Sequence, residues 1–95
     1  MFIVLLRFSA NIDQAGDLMM AHNEWIERGL EEGIFLLVGS LQPKKGGAIL
    51  AHGTTRSALE TRVLQDPFVA HDVVSAELLE ISPSKTDPRL AFVLG

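Results

Sequence analysis

The sequence predicts an α+β domain in which one antiparallel sheet is covered on one face by two helices, in the order β-α-β-β-α-β. Three observations carry this expectation. Short apolar runs rich in β-branched and aromatic residues, at 2–8, 34–38, 48–51 and 73–81, read as strands. Two amphipathic stretches, 15–32 and 57–64, read as helices. The chain has 95 residues, 47% of them hydrophobic, which suits one small core spanning residues 1–95 and argues against disorder.

Phe2 to Phe8 is too short for a helix, and Arg7 is its only charge. Asp13 offers an N-cap to the first helix. On that helix Leu18, His22, Trp25 and Gly29 share a stripe, with Met19, Ile26 and Leu30 beside them. Asn23, Glu24, Glu27, Arg28 and Glu31 fill the other side. Gly33 marks its end. Ile34 to Val38 is continuously apolar, as a strand covered on both faces would be. A long turn, Gly39 to Gly47, joins it to Ala48–Ala51 as a hairpin. Thr54, Thr55 or a Ser57–Glu60 capping box opens the second helix, whose inner face is Ala58, Leu59 and Val63.

At Asp66-Pro67-Phe68 the helix ends and the chain turns toward the fourth strand, Val73 to Ile81, because the residue before proline avoids helical geometry. Residues 83–95 form a C-terminal tail. Within it, Leu90 to Leu94 is expected as an added edge strand or a segment docking on a partner. This order of elements is the ferredoxin-like arrangement.

Composition excludes several classes. The net charge of −4 and scattered basic residues argue against a nucleic-acid partner. The absence of cysteine removes disulfides and thiol nucleophiles. No signal-peptide pattern and no apolar run near the ~20 residues of a membrane span are present, so no membrane partner and a cytoplasmic location are expected. No metal-ligand spacing and no phosphate-loop fingerprint occurs, so neither a metal nor another cofactor is expected. Strand one is apolar on both faces, with Phe2, Val4, Leu6 and Phe8 on one side and Ile3 and Leu5 on the other. Two helices cover only one sheet face, so a homodimer is expected to cover the second.

His22 is the leading chemical candidate. A lone histidine on an apolar stripe is ordinarily an inert, hydrogen-bonded one. With a carboxylate to hold its tautomer and stabilise the imidazolium, it becomes a general acid/base. Asp66 is the candidate partner, because a carboxylate at a helix C-terminal end is disfavoured by the helix dipole and needs another use. Its alternative role is turn initiation before proline. Ser40 could line a pocket as a hydrogen-bond donor. Arg7 could bind a substrate carboxylate, but pairing with Glu77 or Glu80 is the favoured reading. Trp25 and Phe68 are expected in the core or the pocket wall. His52 and His71 have no distinctive spacing and are expected to be exposed, and Asp72 to be a solvated turn residue.

His22-Asn23-Glu24-Trp25, Gly33, Gly39-Ser40-Leu41, Gly46-Gly47 and above all Asp66-Pro67-Phe68 together resemble the YCII-related family of small α+β barrel proteins, over residues 1 to about 82. The chain departs from that pattern at Leu90–Leu94 and at His71, where the family often has glycine. The resemblance implies a ferredoxin-like fold paired sheet-to-sheet into a dimer, with a small-molecule pocket between helix and sheet. It also implies a His–Asp active site that maps onto His22 and Asp66. One branch of the family performs a dehydrochlorination in aromatic-compound breakdown. The reading is thus a small cytoplasmic enzyme doing lyase or isomerase-like acid/base chemistry on a small organic molecule. The alternative is a non-catalytic dimeric ligand-binding or accessory domain.

Overall fold

The computed structural model describes residues 1–94. Its regular elements are β1 (Phe2–Phe8), α1 (Ala15–Glu31), β2 (Phe35–Leu41), β3 (Gly46–Ala51), α2 (Arg56–Leu64), a short α3 (Pro67–Ala70) and β4 (Val74–Glu80). The four strands form one antiparallel sheet in the order β2-β3-β1-β4. This is the expected α+β, ferredoxin-like arrangement. No helix among the described residues is long and apolar enough to cross a membrane.

Register assigns the side chains to faces. Phe2 lies opposite Ala51 and Ala51 opposite Phe35; Val4 opposite Ile49 and Ile49 opposite Val38; Leu6 opposite Gly47 and Gly47 opposite Ser40. Directly paired residues share a face, so these rows form the helix-covered side. Phe2, Val4, Leu6, Ile49, Ala51 and Phe35 are buried there with Trp25 of α1, Leu59 and Val63 of α2, and Phe68 of α3. The opposite face carries Ile3, Leu5, Leu37, Leu50 and Leu79, of which Leu37 and Leu79 are 55% and 41% exposed.

Several local expectations are corrected. Asp13 does not cap α1: it lies in a 3-10 turn, Ile12–Gln14, and Gln14 occupies the cap position without a side-chain bond. The turn's own backbone serves instead: the amide of Ala15, the first residue of α1, donates to the Ile12 carbonyl. The hairpin turn is only 42–45, because β2 runs on through Gly39, Ser40 and Leu41, and β3 begins at Gly46. Glycine and serine read as loop, yet ladder hydrogen bonds are made by backbone and need no side chain. A register irregularity between Phe35 and Leu37 also interrupts the strict alternation of β2. Thr55 proves to be the cap of α2, its hydroxyl accepting from the Ala58 amide at 3.2 Å. Leu90 to Leu94 is not an edge strand; Pro88–Leu94 coils into 3-10 turns, started by Asp87, which accepts from the Arg89 amide at 2.9 Å. The Phe92 ring meets the His52 ring edge-on, with centroids 5.2 Å apart.

α1 and α2 are tied at the far end of the sheet. The Trp25 indole donates to the Arg62 carbonyl at 2.9 Å, and the Arg62 guanidinium grips both oxygens of Glu32 at 2.9 and 3.2 Å. Those charge-assisted bonds hold the Glu32 carboxyl below its ordinary range. The Phe35 ring packs edge-on to Trp25, at 5.1 Å, and lies directly over Gly29.

A methyl group at Gly29 would overlap the Phe35 ring. Alanine is the better helix former by ~1 kcal/mol in an exposed position. Here overpacking wins, and Gly29→Ala should destabilise by about 1–3 kcal/mol. Denaturant unfolding checks this; a variant more stable than the parent would contradict the packing described.

Candidate active site

Asp66 joins two helices. It follows α2 and is the N-cap of α3, with extended backbone (φ −65°, ψ 122°), Pro67 in the first helical turn, and its Oδ1 accepting from the Phe68 amide at 3.0 Å. The sequence reading saw only the C-terminal end of α2, where a carboxylate is misplaced. The short helix that follows makes the same residue well placed, since free N–H groups at a helix start favour a carboxylate. Proline at this position is also expected, because its missing N–H would have no helical partner.

The same Oδ1 lies 2.8 Å from Nδ1 of His22, midway along α1. Asp66 is fully buried, and the His22 side chain is 12% exposed. The Phe68 ring stacks on the imidazole, with centroids 3.9 Å apart and planes within 5°. The ring is thus held at its edge by Asp66 and on a face by Phe68. The second carboxylate oxygen, Oδ2, is buried without a hydrogen-bond partner. In the neutral imidazole, Nδ1–H donates to Asp66 and Nε2 is left as an acceptor.

His22 borders a cavity of about 400 Å³ between α1 and the helix-covered face of the sheet. Leu6, Ile26, Val38, Ile49 and Phe68 supply apolar wall, while Asn23 and Ser40 supply polar groups. Room exists there because Gly47 carries no side chain between Leu6 and Ser40 in its row. At the other end of the sheet, Phe35 and Ala51 face Trp25 and Leu59, and the core is filled.

The predicted site residues divide accordingly. His22, Asp66, Phe68 and Ser40 come together around the cavity. Arg7 does not: strand alternation turns it away from Leu6, and its Nη1 lies 2.7 Å from Glu77 Oε1 on the uncovered face. Trp25 is not pocket wall for this cavity either. Its position on the helix points it to α2 and Phe35, and it is only 1% exposed. His71 is exposed and ends α3, whereas His52 is half-buried against Phe92. Asp72 accepts from the Ser9 hydroxyl at 2.9 Å rather than standing free. Sequence reasoning missed Asn23, placed with the solvent-facing residues, and Gly47, read as turn chemistry. The Gly46-Gly47 pair was the available signal, but only register gives it this meaning. Among the described residues, no group of three or more His, Cys, Asp and Glu could hold a metal ion.

No known family profile and no curated protein sequence matches the chain. Among solved structures, 5-chloro-2-hydroxyhydroquinone dehydrochlorinase from Burkholderia phenoliruptrix, in complex with 2,5-dihydroxybenzoquinone, shares the fold. The TM-score is 0.68 at 13% sequence identity, covering 85% of this chain and 93% of that one.

Asp66→Ala removes the acceptor of both the Phe68 amide and the imidazole, and should cost about 1–3 kcal/mol of stability. Asp66→Asn, which keeps one oxygen acceptor, should cost less. Long-range ¹⁵N–¹H spectra should place the proton of the neutral His22 ring on Nδ1 in the parent and on either nitrogen in Asp66→Ala. A parent ring protonated at Nε2 would overturn the assignment.

Proposed function

We propose that this protein is a small cytoplasmic acid/base enzyme of the YCII-related type, acting by lyase or isomerase-like chemistry on a small cyclic organic molecule. The observation that supports it most is the buried 2.8 Å contact between His22 and Asp66 at the edge of a largely apolar cavity. In this reading Nε2 takes a proton from an O–H or acidified C–H of the substrate. The electron pair left behind expels a leaving group or moves the double bond, and the imidazolium returns the proton to product or water. The buried Asp66 carboxylate faces the imidazolium and stabilises it, a gain of transition-state charge stabilisation. Phe68 fixes the ring plane. Asn23 and Ser40 are placed to hydrogen-bond substrate oxygens. The fold likeness to a dehydrochlorinase complexed with 2,5-dihydroxybenzoquinone motivates a hydroxylated ring as the first substrate to try.

The working unit in this proposal is a homodimer joined through the uncovered sheet face, where Ile3, Leu5, Leu37, Leu50 and Leu79 lie without helix cover. A biological interface there should bury more than ~1,000 Å².

Chloride release from 5-chloro-2-hydroxyhydroquinone, followed with the purified chain, tests the chemistry. His22→Ala and Asp66→Asn should each lower turnover about 10²-fold or more while leaving the fold intact. Binding of 2,5-dihydroxybenzoquinone that depends on His22 but comes with no turnover would favour the non-catalytic ligand-binding reading. Turnover unaffected by His22→Ala would remove the dyad from the mechanism.

Light scattering tests the assembly. The parent should give about twice its 10.4 kDa chain mass, and Leu37→Asp about once. A monomeric parent would sink the sheet-to-sheet dimer.

A further inference from the structure

The His22 cavity opens toward the β2–β3 hairpin. A second depression, of about 360 Å³, is lined by Phe8, Ser40, Leu41, Gln42, Lys44 and Gly46. Phe8, Ser40 and Gly46 line both spaces, so the two are lobes of one cleft. Their chemistry differs. The inner lobe has no Lys, Arg, Asp or Glu on its wall, and His22 is its one titratable group. The outer lobe has a single charged residue, Lys44, and no carboxylate.

Lys44 has two further features. Arg7, Arg56, Arg62 and Arg89 each pair with a carboxylate, whereas Arg28, Lys44, Lys45 and Lys85 have no ion-pair partner among the described residues, and of these four only Lys44 lines the cleft. This is in a chain of net charge −4, with acidic groups in excess. Lys44 also has a left-handed backbone, φ 48°, where glycine or asparagine would be the easier residue. The turn's backbone therefore gives no reason for a lysine; a cation beside the cleft does.

We infer that the cleft takes a two-part ligand: an uncharged hydroxylated ring against His22, and a carboxylate held by Lys44 at the hairpin end. The inference rests on the acid/base reading of the His22 pocket and names its substrate class. A carboxylate fits better than a phosphate, because the outer lobe presents a single positive charge, which balances a monoanion but leaves a dianion half uncompensated, and no helix N-terminus adds to it. The flexible stem of lysine lets the ammonium follow ligands of somewhat different length. Holding the carboxylate at the hairpin keeps its charge away from Asp66, which lies buried behind the imidazole.

Calorimetric titration with two probes tests this. Hydroquinone supplies the ring alone, and 2,5-dihydroxybenzoate supplies the ring with a carboxylate. The parent should bind the carboxylate probe about three- to tenfold more tightly, with the advantage shrinking as salt rises. Lys44→Gly should equalise the two probes without lowering the melting temperature, since glycine accepts the left-handed turn. Lys44→Glu should reverse the preference, and Lys45→Ala should keep it. His22→Ala should weaken both probes together. Equal affinities in the parent, or a carboxylate preference that survives Lys44→Gly, would overturn the role of Lys44. If both probes still depend on His22, the acid/base reading stands without it. If neither probe binds, or neither senses His22→Ala, that reading falls as well.

Discussion

One carboxylate oxygen organises this site. Oδ1 of Asp66 accepts from the Phe68 amide and from the His22 ring, and so ties two elements together at once. The first bond starts α3 and aims the Phe68 ring; the second fastens the turn between α2 and α3 to the middle of α1. Because Phe68 then stacks on the same imidazole, the three residues constrain each other. A buried carboxylate is costly unless its lone pairs are used, and here one oxygen carries both donors while the other has none. The arrangement is held by position in the fold rather than by full hydrogen-bond satisfaction.

The sheet shows how a small fold leaves a cavity beside a dense core. Along the helix-covered face the rows change from Phe2, Ala51 and Phe35 to Leu6, Gly47 and Ser40. At the first end, large rings meet Trp25 and Gly29, so closely that a methyl group at Gly29 has no space. At the other end the side chains shrink and α1 spans a cavity. The same helix thus anchors at Trp25 and offers His22 one turn earlier. The Trp25–Arg62–Glu32 chain secures the anchored end without entering the cavity.

Charge is distributed with similar economy. Four of the eight lysines and arginines, Arg7, Arg56, Arg62 and Arg89, are matched to carboxylates on the surface, where each pair adds little stability. Arg7 and Glu77 pair on the uncovered sheet face among leucine and isoleucine, so they would tune rather than drive any association there. Lys44, at the open end of the cleft, is outside this matching, as are Arg28, Lys45 and Lys85 away from it.

The periodicities of the sequence determined the element types, their order and the shared stripe of His22 and Trp25, since alternation and helical spacing are local properties. Asp66-Pro67 was legible as a break and as a carboxylate needing a partner. That His22 is the partner, at 2.8 Å, follows from packing α3 against α1 across 44 residues of chain, which no local pattern encodes. For Arg7 the sequence left a substrate carboxylate or, preferably, Glu77 or Glu80, and for Trp25 the core or the pocket wall; strand alternation and helix rotation in the assembled sheet chose Glu77 and the core. Gly39 to Gly47 read as loop because glycine and serine lack strand propensity. Cross-strand hydrogen bonds, available only once β1 stood beside β3, made strand of its ends and a cavity of Gly47's missing side chain.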